Sequence, residues 1–415
     1  PDYTGVTIPV DIAPLNYCVD GAERMDVVVT GSKCGEIIAN GKYADFDIDE
    51  WKELVSDNVG GELTFLTSVK REGRWTQYRP FAIHVSDDSL SDFGVVYRKL
   101  APGYETFSHI GIYQRDIHTF DEYPIVESTA APGECINCHA FKGTDPSTFQ
   151  LHFRGMHGAT LIQQDNKRRW LDTKTDSTIA NCMYPYWHPS GDYCAYSLNL
   201  VHQRFFTCGK DYIDVFDRAS DAVILDVRNN ELILSDIFRT SDLETFPVFS
   251  ADGKTIYYCT SKYYEDAKDY EKLRYDLCSV SFDPQTGHIG EEPDTLIKAS
   301  ADSMSISFPT PSHDGKYLLY SYSNHGVFPI NSRDADLWLY DIKTGERHSL
   351  EAANSSESES YHSWSTNSRW IVFCSRRDDG LYSRLFIAHI DEEGKASKAF
   401  ILPQRNPLEY YSRSH

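Results

Sequence analysis

The chain has 415 residues, of which 40% are hydrophobic and 25% charged, so it can bury more than one ordinary small core. Its 62 acidic and 40 basic residues give a formal net charge of −22, which makes nucleic acid an unfavourable partner. No apolar run reaches the ~18 residues that a membrane-spanning helix needs, so we expect no transmembrane span in this chain.

The N-terminal part of the chain alternates apolar and polar residues in short runs with turn signals between them. Residues 25–30, 61–67 and 81–86 are of this kind. Alternation with a period of two favours β-strands, as does the abundance of aromatic residues, which include 27 tyrosines and 21 phenylalanines. We predict a small β-sandwich over residues 1–90. Residues 91–122 are predicted to be connecting strands that belong to this domain or close the next one.

The stretch Cys135-Ile136-Asn137-Cys138-His139 has the C-x-x-C-H spacing of a c-type haem attachment site. Two thiols at this spacing can each add to one vinyl group of a porphyrin, and the next histidine is then held beneath the iron as its proximal ligand. We therefore predict one covalent haem c. Cys135 and Cys138 would form the thioethers, and His139 would bind the iron.

The same spacing can also arise as an accidental run, as part of a zinc site or as a thioredoxin-like redox pair. Random placement would give the pattern in roughly one chain in a hundred of this composition. Structural zinc sites tend to pair C-x-x-C with a second cluster, and no second C-x-x-C or H-x-x-x-H occurs, although scattered histidines can still contribute ligands. A redox pair needs a strand–helix context that the surrounding sequence lacks.

The residues around the motif predict strands rather than the helices of a small cytochrome. Three strand candidates with short turns between them follow the motif, at residues 149–154, 159–164 and 168–172. Residues 125–129 can supply a strand before it. These segments predict a four-stranded antiparallel unit over residues 123–180, in which the motif at residues 135–139 occupies the loop between the first two strands.

Four later segments align with one another without gaps. They begin at Pro185, Pro247, Pro309 and His362, and their starts differ by 62, 62 and 53 residues. Each places a polar turn before a short aromatic and β-branched run, which indicates a strand–turn–strand unit. A four-stranded unit that recurs every ~50 to 60 residues is typical of a propeller blade.

Residues 308–346 carry the pattern P-x-P-S-x-D-G-x-x-L-x-Y-S followed by D-L-W-L-Y-D. Over about residues 180–404, the sequence resembles the TolB-like β-propellers of bacterial envelopes, whose blades have this core. The resemblance implies an all-β fold, with a propeller of five or six four-stranded blades over residues 123–415. It also implies an envelope protein that binds other proteins, but it is weak for function because propellers host many activities.

The sixth coordination position of the iron would be filled by His or Met, or stay open. A symmetrical hairpin would place His152 opposite His139 at about 5 Å, so His152 can bind only if the loop between them splays. His188, in the equivalent loop of the next unit, is the second candidate, and its alternative role is a solvent-facing turn residue. Met183 is interpreted as a core residue. Arg154 is either a partner for a haem propionate or an ordinary surface arginine.

One haem motif without a motif for a second cofactor favours one-electron exchange with a protein partner over catalysis. We therefore expect an extracytoplasmic mono-haem protein acting in electron transfer or redox sensing. One alternative is an envelope scaffold whose haem is structural or absent. Another is a haem enzyme acting on peroxide or a nitrogen oxide. Covalent haem attachment takes place outside the bacterial cytoplasm, so we expect a periplasmic or outer-envelope location and a cleaved signal ahead of Pro1.

Overall fold

The computed structural model describes residues 2–100, 110–130, 133–156, 158–205 and 213–408. Its contacts divide the chain into two compact units. The first unit consists of residues 1–130, 365–373 and 381–415, and the second of residues 131–364 and 374–380.

The N-terminal part of the first unit is a single mixed sheet. Its strands are β1 (Thr7–Ile8), β2 (Arg24–Gly31), β3 (Glu36–Gly41), β4 (Glu62–Arg71), β5 (Arg74–Gln77) and β6 (Phe81–Val85). The strand order is β1-β6-β4-β2-β3, with β5 paired to β4. The β1–β6 pair is parallel, and the other pairs are antiparallel.

The helix α1 (Ile48–Asp57) packs against β2 and β3 of this sheet. Asp47 caps the helix by accepting hydrogen bonds from two backbone amides of the first turn, and Trp51, Leu54 and Val55 are buried. A sandwich needs two facing sheets, and the described residues before 90 form one sheet with a helix. This corrects the predicted β-sandwich, because the apolar residues after Asp47 are spaced for a helix rather than alternating.

A second sheet of the first unit contains β7 (Gly94–Lys99), β8 (Gly111–Asp116) and β9 (Glu122–Glu127), which pair antiparallel in chain order. The predicted connecting strands therefore form a sheet of their own. The sequence suggested residues 125–129 as the inner strand of the first blade, but residues 125–127 belong to β9.

Five short 3-10 helices lie elsewhere in the described chain, at Ser128–Ala130, Asp236–Phe238, Ala267–Lys272, Ala299–Asp302 and Pro329–Asn331. Within the described residues, no helix is both long and apolar enough to cross a membrane.

Within the described ranges, five further antiparallel sheets follow one another along the chain, and they are the blades of an all-β propeller, as predicted. The first contains β10 (Cys135–Lys142), β11 (Asp145–Arg154), β12 (Ala159–Gln164) and β13 (Lys167–Leu171). The second contains β14 (Cys182–Trp187), β15 (Tyr193–Phe205), β16 (Ile213–Asp226) and β17 (Glu231–Ile233).

The remaining blades follow the same plan. The third contains β18 (Leu243–Phe249), β19 (Thr255–Ser261), β20 (Asp276–Asp283), β21 (His288–Ile289) and β22 (Asp294–Ile297), with β22 also paired to β20. The fourth contains β23 (Ser305–Pro311), β24 (Tyr317–Ser323), β25 (Asp336–Asp341) and β26 (Arg347–Ser349). The fifth contains β27 (Glu359–Trp364), β28 (Trp370–Ser375), β29 (Arg384–His389) and β30 (Phe400–Ile401).

The first strand of the first three repeats has a bulge at the same place. The bulges in β14, β18 and β23 contain Pro185, Pro247 and Pro309, which confirms the alignment of the repeats. The aromatic residue before each proline has a left-handed backbone, with φ of 50° at Tyr184, 51° at Phe246 and 52° at Phe308. Non-glycine residues rarely adopt this conformation, so its recurrence indicates that the bulge requires it in each of these strands. The Phe246 ring lies 4.9 Å from the Tyr184 ring and 4.0 Å from the Phe308 ring, so the bulges bring aromatic side chains of three blades together.

His362 takes the place of the proline in the fifth repeat. Its ring is buried, and its Nε2 lies 3.0 Å from the backbone carbonyl oxygen of Leu319. A carbonyl only accepts hydrogen bonds, so Nε2 carries the proton. Burial lowers the pKa of His362 from 6.5 to about 4, which means that the folded state favours the neutral ring.

We expect the replacement His362→Gln to weaken the pH dependence of stability in the acidic range. The stabilisation from the neutral ring is complete above pH 6.5 and is lost as the pH falls toward 4, by up to ~3 kcal/mol. Denaturant unfolding at several pH values measures this slope. The exposed His288, replaced by Gln, should keep the wild-type slope, and a wild-type slope in His362→Gln would contradict the assignment.

Candidate functional site

The structure places the C-x-x-C-H motif in a strand, β10, and this corrects the predicted haem loop at residues 135–139. The loop between β10 and β11 is instead a tight turn at Gly143 and Thr144, where Gly143 has a φ of 55°. Ile136, within the motif, is completely buried, and Phe141 lies against the Phe149 ring at 5.4 Å. These apolar contacts hold the motif in the sheet rather than in a loop.

The motif occupies the bulge that recurs in the inner strands. Ile136 pairs with Phe153 and His139 with Leu151, so two residues of β10, including Cys138, oppose only His152. Cys138 therefore stands at the place of the prolines in later blades. The symmetrical hairpin considered from the sequence does not form, because the residue opposite His139 is Leu151 rather than His152.

Strand pairing assigns the side chains of the motif to two faces of the sheet. Cys135 pairs with Arg154, and directly opposed residues share a face. The Cys138 Sγ atom lies 3.4 Å from Nη2 of Arg154, which places both thiols on the Arg154 face. His139 pairs with Leu151 and lies on the other face. Because β10 is an edge strand of its sheet, the two faces meet at its open edge.

The hydrogen bond of the His139 ring selects one tautomer. Its Nδ1 lies 3.2 Å from the backbone carbonyl oxygen of Asn137, so Nδ1 carries the proton and donates it. The lone pair is then on Nε2, which is the form in which a backbone-anchored histidine binds a metal. Cys135, Cys138 and His139 are each partly exposed.

His152 lies on the Arg154 face and is 3% exposed. Its Nδ1 is 3.0 Å from the Thr160 hydroxyl oxygen, whereas its buried Nε2 has no hydrogen-bond partner among the described residues. Burial, with a smaller effect of the charge on Arg154, lowers the pKa of His152 to about 4, so the ring is neutral at pH 7. His152 stays a candidate ligand because it lies opposite the bulge of the motif and its Nε2 has no hydrogen-bond partner among the described residues.

Arg154 is half-buried and has an unusual set of partners. Its Nη2 atom points at two sulfur atoms, Cys138 Sγ at 3.4 Å and Met183 Sδ at 2.8 Å. Its buried Nε atom has no partner among the described residues, and the structure gives the side chain no carboxylate partner there. Sulfur is a weak acceptor, and buried donors are rarely left unsatisfied. Among the residues that the structure describes, this guanidinium group therefore has no anionic acceptor of the kind it prefers.

His188 is used in the contact between two blades, and this makes it a poor candidate for a ligand. The ring is 4% exposed, its Nδ1 accepts a hydrogen bond from the Ser190 amide at 3.1 Å, and its Nε2 donates to the Gly253 carbonyl oxygen at 3.0 Å. A β-carbon on Gly253 would lie 2.1 Å from Nε2, so glycine is required there. Both ring nitrogens are occupied, and neither is available to an iron atom.

A metal site of another kind is not formed by the described residues. Among them, no group of three or more His, Cys, Asp and Glu side chains is arranged to hold a metal ion. The features that sequence reasoning missed are the bulge that Cys138 shares with the prolines and the contact between Arg154 and Met183. Each depends on pairing or packing between segments that are distant in the chain.

Comparison with known proteins gave similarities of fold. No family model and no curated protein matches the chain. The periplasmic gluconolactonase PpgL of Pseudomonas aeruginosa is 13% identical, with a TM-score of 0.41 over 95% of this chain and 98% of that one. The β-propeller domain of Cps50 (Swd1) from Myceliophteria thermophila is 12% identical, with a TM-score of 0.38 over 89% and 97%. Prolyl oligopeptidase B of Galerina marginata is 10% identical, with a TM-score of 0.43 over 75% of this chain and 45% of that enzyme.

We expect His188→Ala to destabilise the protein without changing the chemistry of the motif. The replacement leaves the Gly253 carbonyl without its donor and opens a small cavity, at a cost of about 1–3 kcal/mol in the free energy of unfolding. Denaturant unfolding measures this loss, and the exposed His313, replaced by Ala, serves as the matched control. A stability equal to that of the wild type would contradict the structural role of His188.

Proposed function

We propose that the chain is a mono-haem c-type protein of the bacterial envelope, built on a TolB-like propeller, that exchanges electrons with a protein partner or senses redox state. The observation that carries the proposal is the C-x-x-C-H motif on the bulge of an edge strand. There, Cys135 and Cys138 share one face, and the tautomer of His139 leaves its lone pair on Nε2.

The residue types of the motif are those that a covalent haem requires. Cys135 and Cys138 would form the thioethers, and His139 would hold the iron. Arg154 would donate to a propionate, the kind of acceptor that its present contacts do not provide. When bound, the haem supplies a one-electron iron couple.

The side chains near the motif favour electron exchange over proton chemistry. His152 stays neutral at pH 7 because burial depresses its pKa. Burial likewise raises the pKa of Tyr184, next to Cys138 and Arg154, well above 10, so this phenol keeps its proton. Neither group has a pKa near neutral pH, where a general acid or base works best.

The charge of the chain favours a particular kind of partner. A net charge of −22 attracts a protein with a basic face and increases the rate at which the two meet. In a propeller that acts only as a scaffold, a half-buried Arg154 that faces two sulfur atoms would have no role. This observation favours the electron-transfer function over the scaffold.

We expect protein matured in a bacterial periplasm to carry one haem on the peptide that contains Cys135 and Cys138. Peptide mass spectrometry detects the adduct, and the pyridine haemochrome spectrum gives the number of thioether bonds. The double replacement by serine should abolish the adduct, whereas Cys194→Ser, in a buried strand position of the next blade, should retain it. An unmodified motif peptide from properly matured protein would sink the proposal.

We expect Arg154→Gln to lower the reduction potential of the haem by roughly tens of millivolts, because a nearby positive charge disfavours the oxidised iron. Potentiometric titration measures the change. The exposed Arg168 of the same blade, replaced by Gln, should leave the potential near that of the wild type. Equal shifts in the two variants would show that Arg154 has no special contact with the haem.

A further inference from the structure

A small cavity lies between strand β16 of the second blade and the segment that joins β19 to β20 in the third. Its volume is about 40 Å³, and four aromatic side chains line it, those of Phe216, Tyr263, Tyr264 and Tyr270. A space of this size holds about three water molecules, and a drug-sized ligand needs several times more. The cavity therefore suits the end of a chain or a small head group.

A bulge in β16 shapes one wall of this cavity. Leu200 pairs with Ala219 and Val201 with Asp217, so Arg218 has no residue opposite it on β15. Phe216, Asp217 and Arg218 all line the cavity, although a regular strand would point neighbouring side chains to opposite faces. Bulges commonly redirect a side chain in this way next to binding sites.

Asp217 is a buried acid in the wall, and its side chain is only 3% exposed. The carboxylate accepts hydrogen bonds from Asn199 Nδ2 and from the Tyr275 hydroxyl group, each at 3.0 Å. Both donors are neutral, since burial keeps the pKa of Tyr275 well above 10.

Asp217 therefore lacks the cation that a buried carboxylate normally has. Among the described residues, no lysine, arginine or histidine forms an ion pair with it, and its hydrogen bonds come from Asn199 and Tyr275. Burial raises the pKa of Asp217 to about 6, so most of this group is still charged at pH 7.

The polar atoms around Asp217 can accept further hydrogen bonds. A carboxylate has about four acceptor positions, and only two are used here. The buried Oδ1 atom of Asn199 has no donor among the described residues. Its orientation is fixed, because Nδ2 of the same amide donates to Asp217 and, at 3.2 Å, to the Thr245 hydroxyl oxygen. An ammonium group has three donors and no acceptor, so it complements these atoms.

The aromatic wall is also suited to a cation, because the face of an aromatic ring carries negative potential. Two of its rings already attract positive groups of the chain. The Arg204 guanidinium lies 4.9 Å from the centre of the Tyr270 ring, and the Lys272 ammonium lies 6.0 Å from that of Tyr264. Neither group is bonded to Asp217, so the buried carboxylate remains available.

We propose that this cavity binds the terminal ammonium group of an alkyl chain, supplied by a free aliphatic amine or by a lysine side chain. The ammonium would donate to Asp217 and Asn199, and the alkyl chain would leave past the exposed Tyr263 and Glu265. The net charge of −22 raises the local concentration of such cations. The site belongs to the second and third blades and does not depend on the haem.

The test measures binding of three small probes to the full chain by ligand-observed NMR at pH 7.5 in ~0.15 M potassium chloride. We expect butylammonium to bind saturably. Butanol has the same shape without the charge, and tetramethylammonium has the charge without N–H donors, so each should bind at least roughly tenfold more weakly. Equal binding of butanol or tetramethylammonium, or no saturable binding of butylammonium, would overturn the proposal.

A pair of variants assigns the binding to Asp217. Asp217→Asn keeps the shape and removes the charge, and we expect it to weaken butylammonium binding by roughly tenfold or more. Asp294→Asn, at an exposed position on β22 that does not line the cavity, should bind as the wild type does. Equal affinities of the two variants would contradict the assignment. If Asp217→Asn does not fold, the comparison of the three probes on the wild type still decides.

A fourth probe, Nα-acetyl-lysine methylamide, separates the two sources of the ammonium group. Binding of this probe at least as tight as that of butylammonium would assign the cavity to a lysine side chain of a partner. Binding of butylammonium alone would assign it to free amines, because the peptide groups would then clash at the entrance.

Discussion

The bulge that recurs in the innermost strands of the first four blades is the constraint on which the rest of the second unit depends. It forces an aromatic residue such as Phe246 into a left-handed conformation and directs its ring toward the rings of other blades. In the first blade, the same bulge carries Cys138 and lets both thiols of the motif lie on one face. A backbone feature that serves packing in later blades thus positions reactive groups in the first.

The half-buried Arg154 contacts Cys138 at the bulge, and its unusual partners bear on the proposed function. An arginine presents five donors, and here one atom faces two sulfurs while Nε has no partner among the described residues. Such an arrangement is costly in the protein alone and becomes favourable when a carboxylate arrives. The haem proposal supplies that carboxylate.

The sequence predicted the repeated blades correctly, because the spacing of the prolines and the polar turns is a local signal. The helix after Asp47 was missed, although the apolar residues Trp51, Leu54 and Val55 have helical spacing. The motif was assigned to a loop because Gly143 follows Cys138 by five residues, whereas Gly191 follows Pro185 by six, and this difference hides the alignment of Cys138 with the prolines. The contact of Arg154 with Met183 joins residues 29 apart across two blades, and no local pattern encodes it.

The opposite orientation of His139 and the two thiols bears on the order of events during biogenesis. In the folded chain, Cys135 and Cys138 face one side of β10, and His139 faces the other. An enzyme that attaches a porphyrin needs the whole pentapeptide on one accessible surface, which the unpaired segment offers and the completed sheet does not. Haem attachment would then have to precede pairing of β10 with β11. On the proposed function, a chain that closes its first blade early would stay without haem.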